Sequence, residues 1–214
     1  YEIFAEQGRF ALDNFGYYLT AAATDTDGFR DNGDEDRQEV TLNLIYDGGE
    51  LHDISLYGDY TDRDYGQPGP ATPEGTADFV VNGVTFYNGE SSNLLSHGSD
   101  EDMHWVLNVK SRPVEWADVN AKASYMDIES FTHTRYYTSW PSAGLPGSNT
   151  WVTNKVAALE ASANIQPLEA LSFLVGGEYK HYQWENTTTN LDGNGIEIST
   201  SETSTEEDLD TVGL

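Results

Sequence analysis

The 214-residue sequence contains no cysteine, which removes disulfide frameworks, thiolate nucleophiles and thiolate metal sites together. Basic side chains are scarce: 10 Lys and Arg stand against 37 Asp and Glu, a formal charge of −27. Nucleic-acid binding draws most of its affinity from cations that neutralise phosphates, and no basic patch can be drawn here, so no nucleic-acid partner is expected. No run of 18 or more apolar residues occurs, the longest being fragments such as Leu171 to Gly177, so no transmembrane helix is encoded. A membrane strand is not excluded, because about ten residues with every second one apolar are enough to cross a bilayer. Also lacking is any signal-like start. Tyr1 opens directly into Tyr-Glu-Ile-Phe-Ala-Glu-Gln, so a targeting segment is expected to lie outside these residues, and both ends read as cuts through a longer polypeptide.

What is present is alternation. Val40, Leu42, Leu44 and Tyr46 fall on one side of Thr41, Asn43 and Ile45, and Ile54, Leu56 and Tyr60 oppose Asp53, Ser55, Tyr57 and Asp59. The same period of two continues in Trp105, Leu107 and Val109; in Val119, Ala121, Ala123 and Tyr125; in Ala157 to Ile165; and in Leu171, Phe173, Val175 and Tyr179. That is the signature of strands with one apolar face. With Tyr1–Gln7 and Phe15–Thr24 added, the reading is all-β with roughly eight strands. The Ser, Thr, Glu and Asp of Ile198 to Leu214 are expected not to order themselves, having too little apolar surface to bury.

Short linkers at 8–14, 47–50, 111–118 and 166–170 alternate with long polar ones at 25–37, 64–102, 136–152 and from Trp184 onward. In an antiparallel meander, alternate connections share one end of the sheet, so one end is trimmed and the other elaborated. Outer-membrane barrels carry short periplasmic turns and long extracellular loops in that way. Aromatic residues near strand ends, among them Tyr17, Tyr60, Trp105, Trp116, Tyr125 and Tyr179, fit girdles at the two headgroup levels. Within the linker 64–102, Phe79 to Phe86 reads as a small hairpin around Asn82-Gly83.

Thr20 to Arg30 (Thr-Ala-Ala-Ala-Thr-Asp-Thr-Asp-Gly-Phe-Arg), Tyr60 to Gly69 (Tyr-Thr-Asp-Arg-Asp-Tyr-Gly-Gln-Pro-Gly) and the hairpin Asn164 to Trp184 resemble the barrel of TonB-dependent outer-membrane receptors. The resemblance implies an antiparallel up-and-down transmembrane β-barrel, of which residues 1–214 form a part. It implies import of a scarce nutrient such as a metal chelate, a siderophore or cobalamin. The expected partners are outer-membrane lipid and lipopolysaccharide, the nutrient itself, and TonB acting through a plug domain not present in this chain. At about 27 residues per strand, a 22-stranded barrel needs on the order of 590 residues, so this chain would supply roughly a third. Two other architectures share the alternation: a plugless porin or small self-closed barrel, and a soluble acidic Ca²⁺-binding sandwich or adhesin module.

Asp25, Asp27, Asp31, Asp34, Glu35 and Asp36 crowd one loop, and hard oxygen ligands at that density suit Ca²⁺. By resemblance to the calcium-holding loop of the family's cobalamin receptor, the candidate ligands are Asp25 and Asp27 with Asp62 and Asp64 from the neighbouring loop. The other reading is a solvated acidic loop. Trp140, Trp151 and Trp184 are candidate ligand contacts by their position in long loops. Asn190, Asp192, Asn194 and Gly195 imitate the start of an EF-hand loop, but the twelfth place is Ser201 and no helices flank it, so it reads as a loop. The five histidines show no metal-ligand spacing, and no Gly-x-Ser-x-Gly elbow or phosphate-binding glycine loop is present. No enzymatic activity is expected.

Overall fold

A computed structural model describes residues 1–28, 32–49, 51–67, 79–81, 84–86, 95–135 and 146–213. The strands are β1 (Glu2–Leu12), β2 (Phe15–Thr26), β3 (Glu35–Asp47), β4 (His52–Gly66), β5 (Phe79–Val81), β6 (Val84–Phe86), β7 (His97–Val114), β8 (Ala117–Arg135), β9 (Gly147–Leu168), β10 (Leu171–Leu191) and β11 (Glu197–Gly213). Nine form one antiparallel sheet in the order β1-β2-β3-β4-β7-β8-β9-β10-β11, and β5 pairs with β6 apart from it. The chain is therefore an all-β, up-and-down meander, one strand longer than the alternation alone suggests. The expected small hairpin is present in β5 and β6, although its turn, Asn82-Gly83, lies outside the described residues.

The additional strand is β11, and it corrects the expectation that the Ser, Thr and Glu run would stay unordered. β11 pairs with β10 from Gly176↔Gly213 to Leu191↔Glu197. A strand held by backbone hydrogen bonds along a preformed neighbour needs no buried face of its own, so composition alone does not decide its fate. For the same reason the expected linker after Trp184 is much shorter. β10 runs on to Leu191, and the turn around Asp192 is closed by Asp192 N–H donating to the Ile196 carbonyl at 2.8 Å. The other long connections are likewise trimmed by strands that outrun their apolar alternation, as where β4 reaches Gly66 and β7 begins at His97.

At the opposite end the turns are tight. In the β3–β4 turn Gly49 takes a positive φ of 75°, a backbone state natural to glycine, and its N–H donates to the Asp47 carboxylate at 2.8 Å. Pro113 sits where the β7–β8 register shifts, between Ser111 and Val114, at a bulge that needs no ladder donor from it.

The ladder also fixes the strand tilt. Phe15, Tyr46, Ile54, Val109, Ala121, Ala161 and Gly177 are successive partners across the sheet. Phe15 opens β2, whereas Gly177 stands six residues past the opening of β10, so the row climbs one residue per strand over six pairings. With about 3.3 Å per residue and about 4.8 Å between strands, the tilt is about 35°, the inclination of strands in a barrel wall.

Among the described residues no second layer covers the sheet. The buried apolar side chains among the described residues are Ala117 and Leu191, while Leu107 is 38% exposed, Phe173 50% and Leu159 55%. This rules out the sandwich arrangement for the described sheet, in which the alternating residues would meet between two sheets.

Candidate functional site

Register sorts the side chains into two faces. One, the belt face, carries Tyr17 and Leu19 of β2, Leu42 and Leu44 of β3, Ile54 and Leu56 of β4, Leu107 and Val109 of β7, Val119, Ala121 and Ala123 of β8, Ala161, Ala163 and Ile165 of β9, and Phe173 and Val175 of β10. The band has a sharp upper limit. Tyr60, Tyr125 and Tyr179 each stand eight residues after the first residue of their strands, His52, Ala117 and Leu171. Eight residues are about 27 Å along a strand and about 22 Å in height at a 35° tilt, the scale of the apolar band of outer-membrane barrels. Two residues further on, the same face becomes polar at Asp62, Asp127 and His181. Trp105 fits this level because its partner in register is Gly58: a Cβ at position 58 would lie 2.3 Å from the indole Cζ3.

The other face, at the same heights, carries Thr20, Thr41, Asn43, Ser55, Asp59, Asn108, Lys122, Glu160 and Glu178, interspersed with Tyr57, Val106 and Val156. Its charges are paired, some across strands and some along one strand. Lys122 lies 3.4 Å from Glu160, Lys180 pairs with Glu178, and His104 Nδ1 is 3.5 Å from Asp59. Arg37 and Arg63 are direct partners in register. Their mutual repulsion is offset by Glu35, which lies 3.8 Å from Arg37 and 3.3 Å from Arg63, by Glu39 on Arg37 and by Asp100 near Arg63. The Arg63 guanidinium also rests over the Tyr65 ring, 4.5 Å from its centre. An open depression of about 400 Å³ reaches this wall between Asn108, Lys122, Glu160 and Glu178, where Gly176 adds no side chain.

At the loop end, Ser96 is fully buried and ties three segments together. Its hydroxyl accepts the Arg135 backbone N–H at 2.8 Å. Its carbonyl accepts Asn32 Nδ2 at 2.7 Å and the Gln67 N–H at 2.9 Å. Arg135 reaches across to the Asp192 carbonyl at 3.5 Å. The Asp192 carboxylate accepts the backbone N–H groups of Asn194 and Ile196, both at 2.8 Å. The bonds from Ile196 and then Asn194 hold its pKa below the ordinary carboxylate value. The loop that imitates an EF-hand thus spends its central carboxylate on its own backbone.

The candidate ligand residues separate. Trp151 lies on the belt face far beyond the tyrosine level, 5.0 Å between ring centres from Phe131. Trp184 points to the polar face, between Asn154 and Thr205, and Trp140 lies outside the described residues. Of the calcium candidates, Asp25 and Asp64 share one register row with Asp36 between them, roughly 10 Å apart across two strand spacings. Asp62 is two residues nearer the tyrosines, and Asp27 follows the end of β2. Among the described residues no group of three or more His, Asp or Glu is arranged to hold a metal ion. The sequence reading missed the Arg37–Arg63 pair and buried Ser96. Neither belongs to a motif, and both depend on a register the sequence does not print.

No protein-family model matches the chain, and no curated protein matches it in sequence. In structure the chain is similar to the crystal structure of the ferric citrate transporter FecA in the unliganded form, with a TM-score of 0.69 and 12% sequence identity. The match covers 98% of this chain and 32% of that one, so the chain spans about a third of that protein's length. Identity this low speaks to fold alone. The architecture is that of part of a transmembrane β-barrel wall.

Proposed function

We propose that this chain forms part of the wall of a TonB-dependent transport barrel in a bacterial outer membrane, importing a scarce nutrient such as a metal chelate, a siderophore or cobalamin. In this reading the belt face meets hydrocarbon, the polar face lines the passage, the tight turns lie on the periplasmic side, and the long loops meet ligand outside the cell. The plug that couples to TonB belongs to another part of the polypeptide.

The observation that carries the proposal is the uncovered apolar band, closed above by Tyr60, Tyr125 and Tyr179 at one height. In water such a surface would be an aggregation hazard, whereas in a bilayer each large apolar side chain contributes about 1.5–3 kcal/mol of transfer free energy. The paired charges of the opposite face suit a hydrated interior. The edges β1 and β11, not paired with each other among the described residues, are completed by neighbouring strands, since unpaired backbone is not tolerated in hydrocarbon.

Two measurements test this. Fractionation of the native protein is expected to recover it with the outer membrane and to need detergent for its release; release into buffer without detergent refutes the membrane reading. Uptake of ferric chelates and of cobalamin is then compared in cells with and without the gene. Uptake that depends on the gene and is abolished by collapsing the proton gradient supports energised import, whereas gene-dependent uptake indifferent to the gradient replaces it with a passive channel.

A further inference from the structure

One basic side chain breaks the belt. Gln7 and Arg9 of β1 are the register partners of Leu19 and Tyr17, so both project from the belt face, and both are exposed. Arg9 stands three residues from Leu12, where β1 ends at its tight turn. That is about 10 Å along the strand and about 8 Å in height at the tilt worked out above. Arg9 is therefore within the apolar band, close to its periplasmic border. Its guanidinium has no ion-pair or hydrogen-bond partner among the described residues, in a chain where 37 carboxylates compete for 10 cations.

An ionised side chain at this depth is tolerated when it reaches back to the interface or meets an opposite charge. Arg9 has the means for the first, because a long apolar stem lets a guanidinium reach the headgroups while its methylenes stay in hydrocarbon. Tyr17 beside it, and Tyr46 one strand further at the end of β3, lie at the same border. A planar guanidinium matches two oxygens of a phosphate, and the phenol beside it supplies a further donor.

We propose that Arg9, flanked by Gln7 and Tyr17, is a binding site for the phosphodiester of a glycerophospholipid in the periplasmic leaflet. The site rests on the membrane reading given above. A lipid held there fills the break that Gln7 and Arg9 make in the belt and fixes the height of the wall in the bilayer.

The test uses the native protein, purified in detergent and titrated with phosphatidylglycerol while bound lipid is counted by native mass spectrometry. Wild type is expected to retain a phospholipid adduct that Arg9→Gln loses by tenfold or more in occupancy. Arg9→Lys is expected to retain it in part, keeping the charge but not the two-pronged geometry. Lys155→Gln, a belt-face cation already 3.0 Å from Asp127, is expected to leave the adduct unchanged. Equal occupancy in wild type and Arg9→Gln overturns the proposal, as does a wild type that retains no lipid. Should Arg9→Gln fail to assemble, the Arg9→Lys titration decides, and an affinity equal to wild type for both phosphatidylglycerol and a phosphate-free glycolipid overturns the phosphate assignment. Failure of the membrane reading is distinct, because the protein would then need no detergent at all.

Discussion

Leu56 and Ser55 are neighbours in β4 that project to opposite faces, and placing an arginine at each in turn separates a lipid-facing belt from any other use of the same alternation. Leu56 is four residues from the start of β4 at His52 and four from Tyr60, about 13 Å along the strand from either limit, so it sits near the middle of the band. Its register partners are Leu44 and Leu107, and no carboxylate lies opposite to receive a new cation. Arginine at the bilayer midplane of a barrel costs about 2–4 kcal/mol, falling to about 0–1 near the interfaces. At about 1.36 kcal/mol per decade, Leu56→Arg is expected to lower the folding equilibrium in lipid vesicles by roughly 30- to 900-fold. Ser55→Arg faces the hydrated side, beside Asn108 and Ile45, and is expected to stay within about 0.5 kcal/mol of wild type. The assay is reversible urea unfolding of the native protein in phosphatidylcholine vesicles, followed by tryptophan fluorescence and heat-modifiable gel mobility. Tyr60→Arg supplies the depth control and should cost far less than Leu56→Arg. A larger penalty at Ser55 than at Leu56, or equal penalties at Leu56 and Tyr60, would refute the assignment of faces and heights.

Three further outcomes follow from close contacts. Gly58→Val drives a side chain into the Trp105 indole, whose nearest carbon would lie 2.3 Å from the new Cβ; a loss of about 1–3 kcal/mol is expected, with a shifted Trp emission, and Trp105→Ala in the same chain should recover most of it. Ser96→Ala removes the hydroxyl that accepts the Arg135 N–H; a cost of about 1–3 kcal/mol should appear as faster hydrogen exchange at the loop ends of β7 and β8, with the belt unchanged. Asp192→Ala removes the acceptor for Asn194 and Ile196 and should raise protease cleavage between β10 and β11. Because the folded-state pKa of Asp192 is depressed by those bonds, their stabilisation is complete above the ordinary aspartate value and is lost as pH falls from there through the lower folded value. Wild type should therefore approach the cleavage rate of Asp192→Ala only in strong acid, and equal rates at neutral pH would remove the capping role.

The apolar half of each strand is legible in the sequence because there the two faces differ in character. Ile54, Leu56 and Tyr60 against Asp53, Ser55, Tyr57 and Asp59 fix the phase, since only one residue of the opposing set is aromatic. Beyond the tyrosine level both faces meet water, the constraint disappears, and the alternation vanishes although the strand continues. That is why β10 is visible as far as Tyr179 and runs unannounced through Asn186 to Leu191, and why β11 from Ser199 to Asp208, paired with β10 beyond Tyr179, shows no apolar alternation. The candidate site is less legible for a related reason. Trp151 and Trp184 look alike as loop aromatics, yet the ladder places them on opposite faces, and Asp25 and Asp64 meet only through Asp36, a residue whose partner in register cannot be counted without the turn lengths.

The length of β9, 22 residues, has a consequence for the surface that stands above the tyrosines. At about 3.3 Å per residue and a 35° inclination it rises about 60 Å, of which the part up to the tyrosines takes little more than a third. The remainder is a parapet whose belt-side surface carries two register rows of acids, Asp62, Glu101, Glu129 and Glu185 in one and Asp64 and Glu202 in the other. Such a rampart acts as an ion exchanger, gathering cations and turning back anions within a Debye length of about 8 Å at physiological salt. These rows face away from the paired charges of the polar wall, so the counter-ion layer they gather lies on the belt side and thins as salt rises.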